Sequence, residues 1–139
     1  MQMNVNLNFK GDCEEAFKFY EQHLGGQPGT IFRYGGSPLE HSVPADWSDK
    51  VMHGSVTVGG QVLMGGDFAA ARYEEPKGFS LSLNLTNPAE AERIFDELAK
   101  DGKVTMPLEE TFWAARFGMV VDRFGIPWLI NCEDPDQSA

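Results

Sequence analysis

The chain contains an internal repeat, and this feature restricts its possible folds more than any other. The segment VNLNFKGDCEEAFKFY, which starts at Val5, aligns without a gap with LSLNLTNPAEAERIFD, which starts at Leu81. Each copy alternates apolar and polar residues over five positions, which is the period of a β-strand, and then changes to the period of a helix. The sequence therefore predicts two copies of a strand followed by a helix.

Each predicted helix has its own start signal. Asp12 is the predicted N-cap of the first helix, with Glu15 as its capping-box partner, whereas Asn87 is predicted to cap the second helix ahead of Pro88. Apolar residues at helical spacing predict the inner faces of the two helices. These residues are Ala16, Phe19, Tyr20, His23 and Leu24 in the first helix, and Ala91, Ile94, Phe95 and Leu98 in the second.

Three strand-like segments follow each helix. They read GTIFRY, VMHGSVTV and QVLMGG in the first half, and GKVTMPLEET, FWAARFGMVVD and IPWLIN in the second. Gly60 and Gly125 occupy matching places in the last turn of each half. This order predicts an α+β domain of two βαβββ modules, about 1–67 and 79–132, with mostly antiparallel strands and a connector over 68–78.

The composition argues against several classes of function. A formal net charge of −10 repels nucleic acids and anionic lipids, so neither is an expected partner. No segment has the ~20 apolar residues of a membrane span, and the start MQMNVNLNFKGD lacks the features of a secretion signal, which predicts a cytoplasmic protein. Cys13 and Cys132 have no zinc or redox spacing and are predicted to be reduced. The polar end EDPDQSA is predicted to fray.

Three segments resemble a known family. FKGDCEEAFKFYEQHLGG, VMHGSVTVGGQVLMGGD and WAARFGMVVDRFGIPWLIN are similar to the PhnB-like branch of the vicinal oxygen chelate superfamily, which includes glyoxalase I, extradiol dioxygenases and bleomycin-resistance proteins. The resemblance covers nearly the whole chain. It implies a glyoxalase-like fold in which curved sheets of two βαβββ modules surround a cavity, and it implies a homodimer.

The resemblance also implies where a metal ion would be held. Metal-using members of the superfamily place His or Glu ligands on the first and last strands of each module. The matching positions are about Asn4, Met64, Ser80 and Leu129, and no His, Asp, Glu or Cys lies within two residues of any of them. Amide, hydroxyl, thioether and alkyl groups cannot bind a divalent cation tightly. Neither a metal ion nor another cofactor is therefore expected.

A site for a small molecule is nevertheless predicted. The candidate ligand-binding residues are Arg116, Trp113, Phe117, Trp128, His53, Met64 and Leu129. His53 is either a hydrogen-bonded sheet residue or an acid–base group, which makes it the candidate catalytic residue. Arg116 either binds an anionic ligand or pairs with Asp122 or a nearby Glu. Trp113 and Trp128 form either a wall for a planar ligand or part of the core.

Two further features are given a predicted role. Asp67 and Asp122 are predicted to cap turns through their side chains. The loop over residues 35–50 is long enough to be a lid or a dimer contact, and its residues Glu40, His41 and Asp46 offer only weak metal-ligand spacing. The favoured function is metal-independent binding of an unidentified small molecule. The alternatives are an enzyme, such as a lyase, isomerase or dioxygenase, and sequestration of a planar toxic compound.

Overall fold

The computed structural model describes residues 1–133, which form two compact units that divide between Glu75 and Pro76. The tail that the sequence predicts to fray lies outside the described residues from residue 134 onward. No helix among residues 1–133 is long and apolar enough to cross a membrane.

The first unit has the order βαβββ. Its elements are β1 (Val5–Phe9), α1 (Cys13–His23), β2 (Gln27–Arg33), β3 (Val51–Val58) and β4 (Gln61–Asp67). They form a four-stranded sheet in the order β1-β4-β3-β2, in which only β1 and β4 are parallel. Two short 3-10 helices, Glu40–Ser42 and Ala45–Trp47, lie in the loop before β3.

The second unit repeats this plan. Its elements are β5 (Leu81–Leu85), α2 (Pro88–Ala99), β6 (Lys103–Glu109), β7 (Ala114–Val121) and β8 (Pro127–Glu133). The sheet order is β5-β8-β7-β6, again with one parallel pair, β5 and β8. The predicted fold class, an α+β chain of two mostly antiparallel βαβββ modules, is therefore confirmed.

The strand register follows the sequence repeat. In the first unit, the first and last strands pair Asn6 with Met64 and Asn8 with Gly66. The corresponding ladder pairs of the second unit are Ser82 with Leu129 and Asn84 with Asn131. Each second-unit residue in these pairs is the one that the repeat and the matching turn glycines assign to that position. The two units are thus equivalent along whole strands, and not only in their order of elements.

Each helix covers one face of its own sheet. The residues buried in α2 are the four that the sequence predicts, Ala91, Ile94, Phe95 and Leu98. The residues buried in α1 are Cys13, Ala16, Phe17, Phe19 and Tyr20. Phe17 is an addition to the predicted stripe, because its ring packs edge-on against Phe9 of β1 with 5.6 Å between ring centroids. His23 and Leu24 are only half-buried.

The two helix starts differ. The Asn87 side chain accepts hydrogen bonds from the backbone N–H groups of Ala89 and Glu90, at 2.9 and 3.4 Å, so this predicted N-cap is confirmed. Asp12 holds the N-cap position of α1, but its side chain makes no capping hydrogen bond, so the predicted capping box is wrong. The reason lies in the backbone, because a capping side chain needs an extended residue, and ψ is 112° at Asn87 but 23° at Asp12.

Candidate functional site

The sheet of the second unit has one face under α2 and one open face. Residues directly opposite each other in a β-ladder point to the same face. Gly118 marks the helix side, because a Cβ at this position would lie 2.9 Å from the Phe95 ring of α2. Its ladder partner Ile130 is fully buried. Alternation then assigns the neighbours of Gly118 and Ile130 along each strand to the open face.

Two rows of side chains cross the open face of the second unit. One row runs through Asn84, Asn131, Phe117 and Glu109, and the other through Ser82, Leu129, Met119 and Met106. Within the first row, the Asn131 amide nitrogen Nδ2 donates a hydrogen bond of 3.3 Å to Oδ1 of Asn84. The open face is therefore polar beside β5 and apolar along β7, and on β6 it carries Met106 and the exposed Glu109.

Further aromatic rings pack around Phe117 of the first row. Trp113 packs edge-on against Phe117, with 5.3 Å between ring centroids, and against Phe112 at 4.7 Å. Trp113 is 47% exposed and Phe112 is 82% exposed. We call Phe112, Trp113 and Phe117 the aromatic cluster. The structure thus brings together two of the predicted ligand-binding residues, Trp113 and Phe117, with solvent access to both.

Arg116 and Trp128 lie on the other face of the same sheet. The Arg116 guanidinium donates through Nε to Oε1 of Glu92 on α2 at 2.9 Å. Trp128 is 1% exposed, and its indole Nε1–H donates to Oδ2 of Asp122 at 2.8 Å. Of the alternatives left open by the sequence, the structure contains the Arg–Glu pair and the core tryptophan. Neither side chain lies on the open face with Trp113.

The first unit also has an open face, and it carries His53 and Met64. The His53 ring lies nearly parallel to Phe32, at an angle of 26° and a centroid distance of 6.5 Å. Phe32 is 53% exposed. The His53 side chain makes no hydrogen bond or ion pair to any residue between 1 and 133. Met64 is half-buried and lies between Asn6 and Ser55 in the ladder.

The strand pairs that correspond to the superfamily's metal ligands do not suit a metal ion. The neighbour of Met64 on β1 is Asn6, and the neighbour of Leu129 on β5 is Ser82, two residues beyond the positions estimated from sequence. In the first unit the pair offers an amide and a thioether, and in the second a hydroxyl and an alkyl group; neither pair is a good donor set for a divalent cation. Across residues 1–133 no group of three His, Cys, Asp or Glu side chains is arranged to hold a metal ion.

Two buried aspartates organise the backbone around these faces. Oδ1 of Asp122 accepts hydrogen bonds from the N–H groups of Phe124 and Ile126, at 2.9 and 3.0 Å, which confirms the predicted turn cap. Asp67 is 1% exposed and also binds backbone N–H groups, but of distant segments. Its carboxylate accepts from Gly11 at 3.0 Å, Cys13 at 2.9 Å and Val51 at 2.8 Å. The prediction of a local turn cap at Asp67 is therefore wrong.

The structure contains a cleft that the sequence did not predict. It has a volume of about 570 Å³ and is lined by Gly11, Asp12, Glu14, Glu15, Arg33, Asp49, Lys50 and Asp67. Arg33 donates two hydrogen bonds to the Glu14 carboxylate, at 3.1 and 2.8 Å, and a third to the carbonyl of Asp49. Lys50 donates to the carbonyl of Gly11 at 2.8 Å. Both cations are thus occupied by groups of the protein itself.

Two carboxyl groups of this cleft have shifted acidities. The hydrogen bonds from Arg33 hold the pKa of Glu14 below its usual value. Burial raises the pKa of Asp12, whose Oδ1 is buried without a hydrogen-bond partner among residues 1–133. No sequence motif links these residues, because they come from four separate segments that only the folded chain brings together. We interpret the cleft as an ion pair with supporting hydrogen bonds, which joins α1 and the loop before it to the end of β2 and to the segment before β3.

Comparisons with known proteins agree with the fold. Residues 7–136 match the model of the glyoxalase/bleomycin resistance protein/dioxygenase superfamily. Protein YjdN from Escherichia coli (strain K12) is 33% identical, and the match covers 94% of this chain and 95% of that protein. The crystal structure of protein PA1353 from Pseudomonas aeruginosa is 51% identical, with a TM-score of 0.84 and coverage of 96% of this chain and 98% of that chain.

A third comparison concerns the fold alone. A structure from Bacillus cereus described as a putative 3-demethylubiquinone-9 3-methyltransferase, PhnB protein, has a TM-score of 0.79 at 24% identity. The two chains match over 95% and 99% of their lengths, respectively. The resemblance that the sequence suggested is thus matched by a PhnB protein at the level of the fold.

Proposed function

This chain belongs to the glyoxalase/bleomycin resistance protein/dioxygenase superfamily, and on that premise we propose that it binds a small organic molecule on the open faces of its sheets without a metal ion. The observation that carries the proposal is the pairing of Asn6 with Met64 and of Ser82 with Leu129. These positions offer no strong metal ligand, yet their neighbours on the same faces are partly exposed rings and neutral polar groups.

The ligand-binding residues that we propose are the predicted ones that lie on an open face. They are His53 and Met64 in the first unit, and Trp113, Phe117 and Leu129 in the second. Exposed aromatic rings such as Trp113 bury a large area when a ligand covers them, and this burial favours binding. Arg116 and Trp128 are not included, because Glu92 and Asp122 already bind their polar groups.

Two measurements test this proposal. Elemental mass spectrometry of protein purified without an affinity tag is expected to find metal far below one equivalent, with no saturable binding of Ni, Zn, Mn or Fe. A thermal-shift screen of neutral and cationic organic compounds is expected to find ligands whose effect is lost in Phe117→Ala or Trp113→Ala. Near-stoichiometric metal, or a screen in which no compound of any class binds, would contradict the proposal.

A metal-independent enzyme is the second candidate, and His53 is the observation that favours it. A side chain on an open sheet face, stacked on Phe32 and without a hydrogen bond to residues 1–133, is available to accept or donate a proton. If ligands found in the screen are converted to products, His53→Ala should abolish turnover and retain ligand binding. Equal turnover in that variant would remove His53 from the mechanism.

A homodimer is part of the proposal. The superfamily resemblance supports it, and so do the edge strands β2 and β6, which carry partly exposed apolar residues such as Phe32 and Met106. Light scattering coupled to size-exclusion chromatography should give about twice the chain mass of 15.4 kDa. The cytoplasmic location and the lack of nucleic-acid or membrane partners remain predictions, the latter based on the charge of −10.

A further inference from the structure

The open face of the second unit presents a specific combination of groups. Asn84 and Asn131 are ladder partners on β5 and β8, and Asn131 is also the ladder partner of Phe117 on β7. Neighbouring strands lie about 4.8 Å apart, so this row spans about 10 Å from Asn84 to Phe117. The Trp113 ring packs edge-on against Phe117 beside this row. An amide pair and an aromatic pair thus lie side by side on one accessible surface.

The amide pair leaves one NH₂ group and one carbonyl group wholly unused. Asn131 donates to Asn84, and neither side chain makes another hydrogen bond with the described part of the chain. The NH₂ group of Asn84 and the carbonyl of Asn131 therefore remain available. If both amides were rotated, the free groups would exchange places, but the pair would still offer one donor beside one acceptor. This pattern is complementary to a ligand that carries a C=O next to an N–H.

The charge around the pair restricts the ligand further. The next ladder partner of Phe117 is Glu109, which is exposed, and the chain has a formal net charge of −10. The nearest cation in the sheet, Arg116, points to the opposite face and is paired with Glu92. An anionic ligand would meet two neutral amides in a negative field and would be disfavoured. A neutral ligand meets no such penalty.

We propose that this face binds a neutral, planar heterocycle with adjacent carbonyl and N–H groups, as in a lactam. Asn84 donates to the carbonyl of the heterocycle, Asn131 accepts from its N–H, and the ring contacts Phe117 and Trp113. The inference rests on the proposed function and deepens it, because it names the class of ligand and assigns the site to the second unit.

The test compares two probes that differ only in the N–H group. 2-Quinolinone has the lactam edge on a flat bicyclic ring, and 1-methyl-2-quinolinone replaces its N–H by N–CH₃. Each probe is titrated into the full chain while the side-chain amide signals of Asn84 and Asn131 are followed by NMR. We expect 2-quinolinone to shift both signals and to bind about tenfold more tightly than the methylated probe, since one hydrogen bond separates them.

Variants assign the preference to individual residues. Asn84→Leu and Asn131→Leu should bring the affinity ratio of the two probes close to one, whereas Phe117→Ala should weaken both probes by a similar factor. Asn8→Leu is the matched control, because Asn8 is the repeat counterpart of Asn84 and also contacts another amide, that of Asn6 at 3.4 Å. It should leave the ratio unchanged. Circular dichroism verifies that each variant is folded.

The outcomes separate this inference from the proposed function. Equal binding of the two probes, no binding of 2-quinolinone, or a ratio insensitive to Asn84 and Asn131 overturns the inference. If compounds of another class bind in the thermal-shift screen, the proposed function is supported although the inference about the ligand is wrong. If nothing binds, both are wrong. If the affinity ratio of the two probes fell close to one in Asn8→Leu, the assignment of the site to the second unit would be wrong.

Discussion

Replacing Asp67 by asparagine tests how the first unit is held together. The Asp67 carboxylate, at the end of β4, accepts hydrogen bonds from the backbone of Gly11, Cys13 and Val51. It therefore links the loop before α1, the start of α1 and the start of β3. Asparagine has nearly the same shape, but one of its two polar atoms is a donor. It can keep the two bonds made to Oδ1, and its NH₂ group then faces the N–H of Val51.

The expected loss of stability follows from these bonds. Leaving a buried N–H without an acceptor costs about 1–3 kcal/mol, and a hydrogen bond to a charged group is roughly twice as strong as a neutral one. Asp67→Asn loses one hydrogen bond and weakens two others, and the lower desolvation cost of the neutral side chain offsets part of this loss. The free energy of unfolding is therefore expected to be about 2–3 kcal/mol lower. For a chain of this length, that corresponds to a fall in Tm of roughly 6–12 °C.

Urea-induced unfolding, followed by both circular dichroism and tryptophan fluorescence, measures the change and checks that unfolding is two-state. Asp96→Asn is the matched control, because Asp96 is exposed on α2, and it should change stability by less than about 0.5 kcal/mol. Asp67→Ala should cost more than Asp67→Asn, and the amide protons of Gly11, Cys13 and Val51 should exchange faster in it. A loss at Asp67 no larger than at Asp96 would refute the reasoning.

Three further predictions concern acidity, thiol reactivity and the two sheet faces. Burial raises the pKa of Asp12 in the folded state, so the stability that Asp12 contributes is present below its unfolded pKa and is lost as the pH rises through its folded pKa. Asp12→Asn should therefore raise Tm by a few degrees at about pH 7 and leave it unchanged at about pH 3. An equal change in Tm at both pH values would contradict this prediction. Burial also raises the pKa of the Cys13 and Cys132 thiols, so Ellman's reagent should modify the folded protein at least about 100-fold more slowly than the unfolded chain; rapid labelling of the native protein would disprove the burial of these thiols. Arg116→Ala should lower stability by no more than about 1 kcal/mol, because its ion pair is partly exposed. It should leave ligand affinity unchanged, whereas Phe117→Ala should weaken ligand binding. If Arg116 were the anchor, calorimetric titration with a ligand from the screen would show the larger loss of affinity in Arg116→Ala.

Sequence reasoning succeeded for features that depend on neighbours in the chain. The Asp122 side chain caps its turn by binding residues at most four positions away. The Asn87 side chain caps α2 by binding residues at most three positions away. Sequence reasoning failed at two aspartates whose roles depend on the tertiary structure. Asp12 resembles an N-cap, but its backbone is not extended and Asp67 binds the N–H groups on either side of it. Two hydrogen-bond partners of Asp67, Gly11 and Cys13, lie more than fifty residues away in the chain. Nothing near Asp67 in the sequence indicates these contacts.

For the candidate site, the sequence proposed residues on several strands but could not assign them to the faces of the sheets. Trp113, Arg116 and Phe117 are close together in the chain, so all three were candidates for one ligand. Side chains in a strand alternate between faces, and a shift of one residue reverses the assignment. The ladder register and the contact of Arg116 with Glu92 on α2 decide that Phe117 and Arg116 point in opposite directions.

The sequence by itself determined the duplicated βαβββ order, the positions of its turns and the lack of His, Asp, Glu or Cys at the positions that match the superfamily's metal ligands, because these depend on local periodicity and on residue identity. Only the tertiary structure decided which side chains share a face, how Asp67 joins three segments, and that Asn84, Asn131 and Phe117 lie in one row. These features depend on strand register and on helix packing, and both arise from contacts between residues that are far apart in the chain.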